Sequence, residues 1–150
     1  MSTHQQLYYH IVFSTKNRKP LMRNDEFREN VFGYLAGTAR GLGGFAIKVG
    51  GFHDHVHLLV QIPAKTAVSD FVGKMKAGTS KHINATSGLI QKFGWQDGFG
   101  VFTVSPSQKD RVTHYIENQM QHHTHETFEQ EYVQLLEKHD VEYDSRYLFD

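Results

Sequence analysis

"HDHVHLLVQIP", residues 53–63, decides how this chain is read. Three histidines fall within five positions and run into an apolar stretch closed by Pro63. On a strand, side chains alternate between two faces. Phe52, Asp54, Val56, Leu58, Val60 and Ile62 then share one face, and His53, His55, His57, Leu59 and Gln61 the other. The first set is mostly apolar and suits packing against helices. The second carries imidazoles about 6.5–7 Å apart along the strand, a spacing at which two can converge on one ion. On a helix, residues i and i+2 point apart and the pair would be useless. The strand reading therefore predicts a metal site on the sheet face that the helices leave open, with His55 and His57 as two of its ligands. The plain alternative is a row of hydrogen-bonded polar residues on an exposed sheet face.

Outward from this strand, residues 7–15 ("LYYHIVFST") alternate and are rich in β-formers, and residues 45–52 ("FAIKVGGF") read as another strand. Gly50-Gly51 predicts a tight reversal that makes 45–63 a hairpin. Residues 24–43 read as a helix capped by Asn24 or Asp25, with Phe27, Val31, Tyr34 and Leu35 on one stripe. Residues 67–88 read as a second helix that Ser69 can cap, and residues 99–105 ("FGVFTVS") as a fourth strand. "PSQKDRVTHYIENQMQHH" (106–123) follows as a helix with Ser107 as N-cap, and residues 126–140 as a final helix. The order β-α-β-β-α-β plus C-terminal helices predicts an α+β protein: a ferredoxin-like antiparallel sheet with helices on one face. No linker, repeat or low-complexity tract divides residues 1–150, which read as one domain.

The chain lacks cysteine, a signal-peptide pattern and any apolar run of membrane-spanning length, which fits a cytoplasmic protein. Its formal charge of zero hides an asymmetry: residues 126–150 carry a net −6 and residues 1–125 a net +6. The body can therefore face phosphates. Lys16, Arg18, Lys19 and Arg23 surround the first loop, and Lys74, Lys76 and Lys81 lie along the second helix. These are candidate phosphate-contacting residues for a nucleic-acid partner, with Tyr8 and Phe13 as candidate stacking platforms for unpaired bases.

Two histidines are too few for an ion. In "THYIENQMQHH" (113–123), Tyr115 and Gln119 are i and i+4 on the predicted helix and project together. Gln119 offers a carbonyl oxygen to a hard cation. The second His-x-His, in "HHTH" (122–125), reads as a polar helix C-terminus: His123 and His125 diverge, while His122 lies one turn beyond Tyr115. A phenol beside a metal held by two histidines and an amide suits phosphoryl transfer to tyrosine. Imidazole plus amide tolerates Mg²⁺, Mn²⁺ and heavier ions alike.

"DHVHLLV" (54–60) with the downstream "YIENQ" (115–119) resembles the single-tyrosine HUH transposases of the smallest bacterial insertion sequences, the TnpA or IS200-like type. "YHIVFSTKNRKPL" (9–21), "WQDGFGVFTVS" (95–105) and "EYDSRYLF" (142–149) look like the same family, so the likeness covers nearly the whole chain. The resemblance makes His55-Val56-His57 the HUH motif, Tyr115 the nucleophile and Gln119 the third metal ligand. It implies Mg²⁺ or Mn²⁺ as cofactor and single-stranded DNA with hairpin ends as substrate, cleaved and rejoined through a 5′-phosphotyrosine that frees a 3′-hydroxyl. It also implies a homodimer, commonly with the tyrosine helix of one subunit completing the site of the other. His53 stands where relatives more often carry another residue and is not carried over as a ligand, and Phe99 stands where many carry Tyr. Two other readings stay open: a relaxase-like or replication-initiator nicking enzyme, and a non-catalytic nucleic-acid-binding module.

Overall fold

A computed structural model describes residues 1–149 of the 150. Four strands, β1 (Tyr8–Ser14), β2 (Phe45–Gly51), β3 (His55–Gln61) and β4 (Gly100–Val104), form one sheet in the order β2-β3-β1-β4. Every neighbouring pair is antiparallel. Two helices, α1 (Asp25–Gly41) and α2 (Val68–Thr86), complete the β-α-β-β-α-β order. Three more follow: α3 (Lys109–Glu117), the single turn α4 (Gln119–His122) and α5 (Phe128–Lys138).

The alternation in β1 and β3 sorts their side chains as the strand period requires. Ile11 and Phe13 of β1, with Val56, Leu58 and Val60 of β3, are buried against Val31, Phe32 and Leu35 of α1 and Phe71, Val72 and Met75 of α2. The opposite face is covered too, which departs from the expectation of helices on one face only. Val12 and Phe102 pack there under Phe128, Tyr132, Leu135 and Leu136 of α5, and Leu59 and Tyr8 under Ile116 of α3. The apolar stripe of the C-terminal helices needs a surface to bury against, and this face supplies it. His55 and His57 are consequently fully buried between sheet and helices. Among the described residues, no helix is long and apolar enough to cross a membrane.

The local differences have simple causes. Asn24 caps α1 by accepting from the Phe27 amide, but α2 begins at Val68, ahead of Ser69, with no side-chain cap. A short 3₁₀ turn over residues 106–108 absorbs Ser107 before α3 starts at Lys109. The β2–β3 hairpin exists, yet its turn is residues 52–54, closed by the Phe52 amide on the His55 carbonyl. Gly50 and Gly51 remain inside β2, and Gly50 serves a different purpose. A Cβ built there would lie 2.5 Å from the Ile116 carbonyl oxygen, so only glycine lets α3 lie this close to the sheet. Phe13 is wholly buried against Trp95 (ring centroids 4.9 Å apart) and Tyr8 is buried beneath α3, so the sheet aromatics expected to stack on bases belong to the core.

Candidate active site

β3 and the C-terminal helices meet around one buried carboxylate. Antiparallel pairing sets Val12 of β1 opposite His57 and Ser14 opposite His55, placing both imidazoles on the face covered by α3–α5. The seating of α3 against Gly50, which is opposite His57 on β2, brings Tyr115 in from above. The Tyr115 and His57 ring centroids are 5.6 Å apart within a single chain. The predicted single helix breaks at Asn118 (φ −94°, ψ 13°), but Tyr115 and Gln119 still converge on one group, Glu131 of α5.

Glu131 is the residue that sequence reasoning missed. It lay among the eight acids of the last 25 residues, which read as a solvated acidic tail. A signal was present: Phe128, Tyr132, Leu135 and Leu136 form the buried stripe of α5, and Glu131 sits on it. A Thr127–Gln130 capping box fixes the start of α5 and with it the direction in which Glu131 points. Its Oε1 accepts from His57 Nε2 and His123 Nε2, both at 3.0 Å, and lies 3.4 Å from His55 Nε2. Its Oε2 accepts from Gln119 Nε2 at 2.9 Å and from the Tyr115 hydroxyl. A buried carboxylate without partners would be costly. Burial raises the Glu131 pKa, but the charge of His57 and the hydrogen bonds from His123 and His57 outweigh it and hold the group well below the usual carboxylate range. Tyr115 moves the other way: burial and the negative charge of Glu131 both keep the phenol protonated.

The histidine tautomers follow from their partners. His55 Nδ1 donates to Asp54 Oδ1 at 2.8 Å, which leaves Nε2 as a lone pair in the neutral ring. That lone pair faces Gln119 Oε1 at 2.8 Å, and the amide cannot be turned because its nitrogen already donates to Glu131. Two lone pairs at this distance need a proton or a cation between them, so the donor set fits a metal ion. His123 Nδ1 donates to the Glu126 carbonyl at 2.7 Å. Burial lowers its pKa, but the hydrogen bond and charge of Glu131 prevail and the net shift is upward. His57 Nδ1 contacts His10 Nε2 at 2.8 Å, a second histidine the sequence did not single out. Burial, together with the neighbouring His57, holds His10 well below the usual imidazole value. His122 lies 3.7 Å from Glu131 Oε2, at the margin of the cluster, and His53 stacks on Phe52 outside it.

The basic residues are scattered. Lys16, Lys19 and Arg23 are exposed around the first loop. Arg18 is drawn to the C-terminus, donating to the Phe149 carbonyl at 3.1 Å and lying 3.7 Å from Glu129. Lys74 and Lys81 are exposed on α2, across the sheet from Tyr115. Lys76 donates to the carbonyls of Gln96 and Gly98, at 2.6 and 2.8 Å, and approaches that of Asp97 at 3.4 Å. Beside Tyr115 is a groove of about 440 Å³, lined among others by His10, Gln108, Arg111, Lys138 and His139.

The chain has known relatives in sequence and fold. The chain is 26% identical over 119 residues to the ISDra2 transposase TnpA of Deinococcus radiodurans, covering 76% of this chain and 84% of the relative. It is 27% identical over 118 residues to the transposase for insertion sequence element IS200 of Salmonella typhimurium, covering 75% and 76%. A crystal structure of a transposase candidate from Deinococcus radiodurans R1 superposes with a TM-score of 0.63 at 26% identity, covering 80% of this chain and 95% of that one. The structure of a REP-associated tyrosine transposase bound to a REP hairpin shares the fold, with a TM-score of 0.56 at 14% identity over 79% and 72%. The family model described as "Transposase IS200 like" matches residues 3–119. With that match spanning most of its length, the chain belongs to the IS200-like transposases.

Proposed function

We propose that this transposase cleaves and rejoins single-stranded DNA at insertion-sequence ends, with Tyr115 as nucleophile. The observation that carries the proposal is the convergence, in one chain, of the Tyr115 hydroxyl, His57 and Gln119 on a single buried carboxylate. The Tyr115 oxygen attacks a DNA phosphorus, forming a Tyr–O–P bond. The P–O3′ bond breaks, and the leaving oxygen takes a proton to become a 3′-hydroxyl. The 5′-phosphotyrosine ester keeps the bond energy, so a second 3′-hydroxyl can reverse the step and join new ends.

His55, His57 and Gln119 would hold Mg²⁺ or Mn²⁺. When bound, such an ion supplies a Lewis acid for the phosphate oxygens. Within the chain, Asp54 orients His55, His10 orients His57, and Glu131 Oε2 holds the phenolic proton. The groove beside Tyr115, with Arg111 and Lys138 on its wall, offers the DNA strand a route to the hydroxyl. Hairpin ends are the proposed recognition element, in keeping with the REP hairpin bound by the structural neighbour. The nearness of Tyr115 to its own chain's His57 supports catalysis in cis within the proposed homodimer.

Incubation with Mn²⁺ and single-stranded hairpin ends should give a covalent protein–DNA adduct that survives denaturing electrophoresis. Its absence from the Tyr115→Phe variant, and mass-spectrometric location of the phosphate on Tyr115, are the expected results. An adduct of unchanged yield in Tyr115→Phe removes that residue from the role.

A further inference from the structure

We infer that the turn between α4 and α5 holds a second ion, of the zinc class, on His122, His123, Glu126 and Glu131. Its imidazoles are not those of the centre proposed on His55 and His57, and it meets that cluster only at the Glu131 carboxylate.

Two consecutive histidines reach one place because the helix stops between them. Neighbours in a continuous helix point about 100° apart. α4 ends at His122, and His123 follows with φ −80° and ψ 4°. Both imidazoles then face one carboxylate: His123 Nε2 lies 3.0 Å from Glu131 Oε1, and His122 Nε2 lies 3.7 Å from Oε2. Glu126 adds a second carboxylate from the turn, its Oε2 2.5 Å from His122 Nε2. Donor atoms of His122, His123 and Glu131 all lie within 4.8 Å of one another. An ion with ligand bonds of about 2.0–2.2 Å spaces neighbouring donors about 2.8–3.6 Å apart. The separations from Glu131 fall close to that range, and rotation of His122, which is partly exposed, adjusts the rest.

One nitrogen of this set has no hydrogen bond. His122 Nε2 is buried and unsatisfied, because Glu126 Oε2 approaches it without the alignment of donor and acceptor. A buried polar atom without a partner calls for an explanation, and a bound ion supplies one. His123 is already oriented as a ligand. It donates Nδ1–H to the Glu126 carbonyl at 2.7 Å, the outer hydrogen bond that ligating histidines commonly make. The Nε2 hydrogen that it gives to Glu131 is the one an ion displaces, and its departure frees a lone-pair site on that carboxylate.

Donor chemistry sets the ion class. Two imidazoles with two carboxylates suit Zn²⁺ and Co²⁺ better than Mg²⁺, which prefers oxygen and keeps its water. A divalent ion also balances the two carboxylates. A surface hollow of about 350 Å³, lined by Asn118, Gln121, His122, His125 and Glu126, gives the ion an entry. Once bound, it ties the end of α4, the turn and α5 together, and so fixes the carboxylate to which Tyr115 donates.

The test uses the metal-free full-length chain and Zn²⁺ alone. Calorimetric titration should reveal a Zn²⁺ site that His122→Ala weakens at least about tenfold and that His57→Ala leaves in place, with circular dichroism as the check on folding. Unchanged Zn²⁺ binding in folded His122→Ala overturns the inference and leaves His122 and Glu126 as an ordinary i, i+4 ion pair. Loss of the same site in folded His57→Ala merges the two centres and overturns it as well. Anomalous scattering at the zinc edge from Zn²⁺-soaked wild-type crystals decides if a variant does not fold. A peak about 2.0–2.2 Å from nitrogens of His122 and His123 upholds the site; a peak on His55 and His57 alone, or none, overturns it. None of these measurements needs DNA or Tyr115, so they succeed or fail independently of the strand-transfer reading.

Discussion

Tyr115 donates its phenolic hydrogen bond to Oε2 of Glu131, and the other oxygen of that carboxylate accepts from His57. One side chain thus ties the proposed nucleophile to the strand that carries His55 and His57, and it does so with the phenol half-buried and protonated. Burial and the charge of Glu131 both raise the Tyr115 pKa above its ordinary value of 10.0. The folded chain therefore holds a proton that the unfolded chain releases near pH 10, so this contribution to stability is complete below pH 10 and is lost as pH rises beyond it. In ultraviolet titration of the metal-free protein, Tyr115 should contribute no tyrosinate between pH 9 and 11. Tyr115→Phe should leave that titration curve unchanged in this window. A Tyr115-dependent absorbance step near pH 10 would contradict the arrangement.

The seating of the tyrosine helix depends on Gly50. A methyl group there meets the Ile116 carbonyl at 2.5 Å and the Ile116 Cγ2 at 2.8 Å, and a backbone atom cannot swing aside. Gly50→Ala should therefore cost about 1–3 kcal/mol in urea unfolding and displace Tyr115, lowering adduct formation further than the stability loss explains. Gly37→Ala is the matched control. Gly37 is exposed in α1 with nothing near its missing Cβ, so the substitution should stabilise by about 0.5–1 kcal/mol. Equal effects at the two positions would show that helix seating is not at issue.

How far these features could be read in advance depends on whether local periodicity survives. In β3 it does: two-residue alternation assigns His55 and His57 to one face and Val56 and Leu58 to the other without any knowledge of partners. Tyr115 and Gln119 were legible as an i, i+4 pair despite the break at Asn118, because the backbone hydrogen bond from Asn118 to His114 carries the helical turn across it. His123 lies past the end of α4, where the chain turns and helical spacing predicts no direction, so its burial was invisible. Glu131 and His10 were hidden for another reason. Each is a polar residue on a buried stripe, and only the partner contributed by a distant element makes that burial tolerable. Gly50 was misread as turn chemistry because glycine in a strand can mark a reversal or a close approach, and α3 is what decides between them.

The groove beside Tyr115 gives an expectation for DNA binding that differs from the clustering of lysines in sequence. Arg111 and Lys138 line the groove, whereas Lys74 and Lys81 lie beyond the other face of the sheet. Each phosphate contact to single-stranded DNA contributes about 0.7 to the slope of log affinity against log salt. Arg111→Ala and Lys138→Ala should each reduce the magnitude of that slope by about this amount in fluorescence-anisotropy titrations. Lys74→Ala and Lys81→Ala should leave it unchanged, and the reverse pattern would move the strand to the α2 side.

Lys76 should behave as a structural lysine. Its ammonium lies against the backbone carbonyls of residues 96–98 and its ring-facing side covers Phe13 at 5.2 Å. Burial, opposed in part by the charge of Asp97, pushes its pKa down to about 8 from 10.5. Between those values the unfolded chain binds more protons than the folded one, so stability contributed through this group rises with pH from about 8 toward 10.5 and is flat below 8. Lys76→Gln should cost about 1–2 kcal/mol at pH 7, a hydrogen-bond loss discounted for partial solvent exposure. The gap between wild type and variant should widen between pH 8 and 10 when urea unfolding is followed by Trp95 fluorescence, since Trp95 adjoins the segment that Lys76 holds. A gap that stays constant with pH would place the ammonium in solvent, free to meet DNA as the other exposed lysines are.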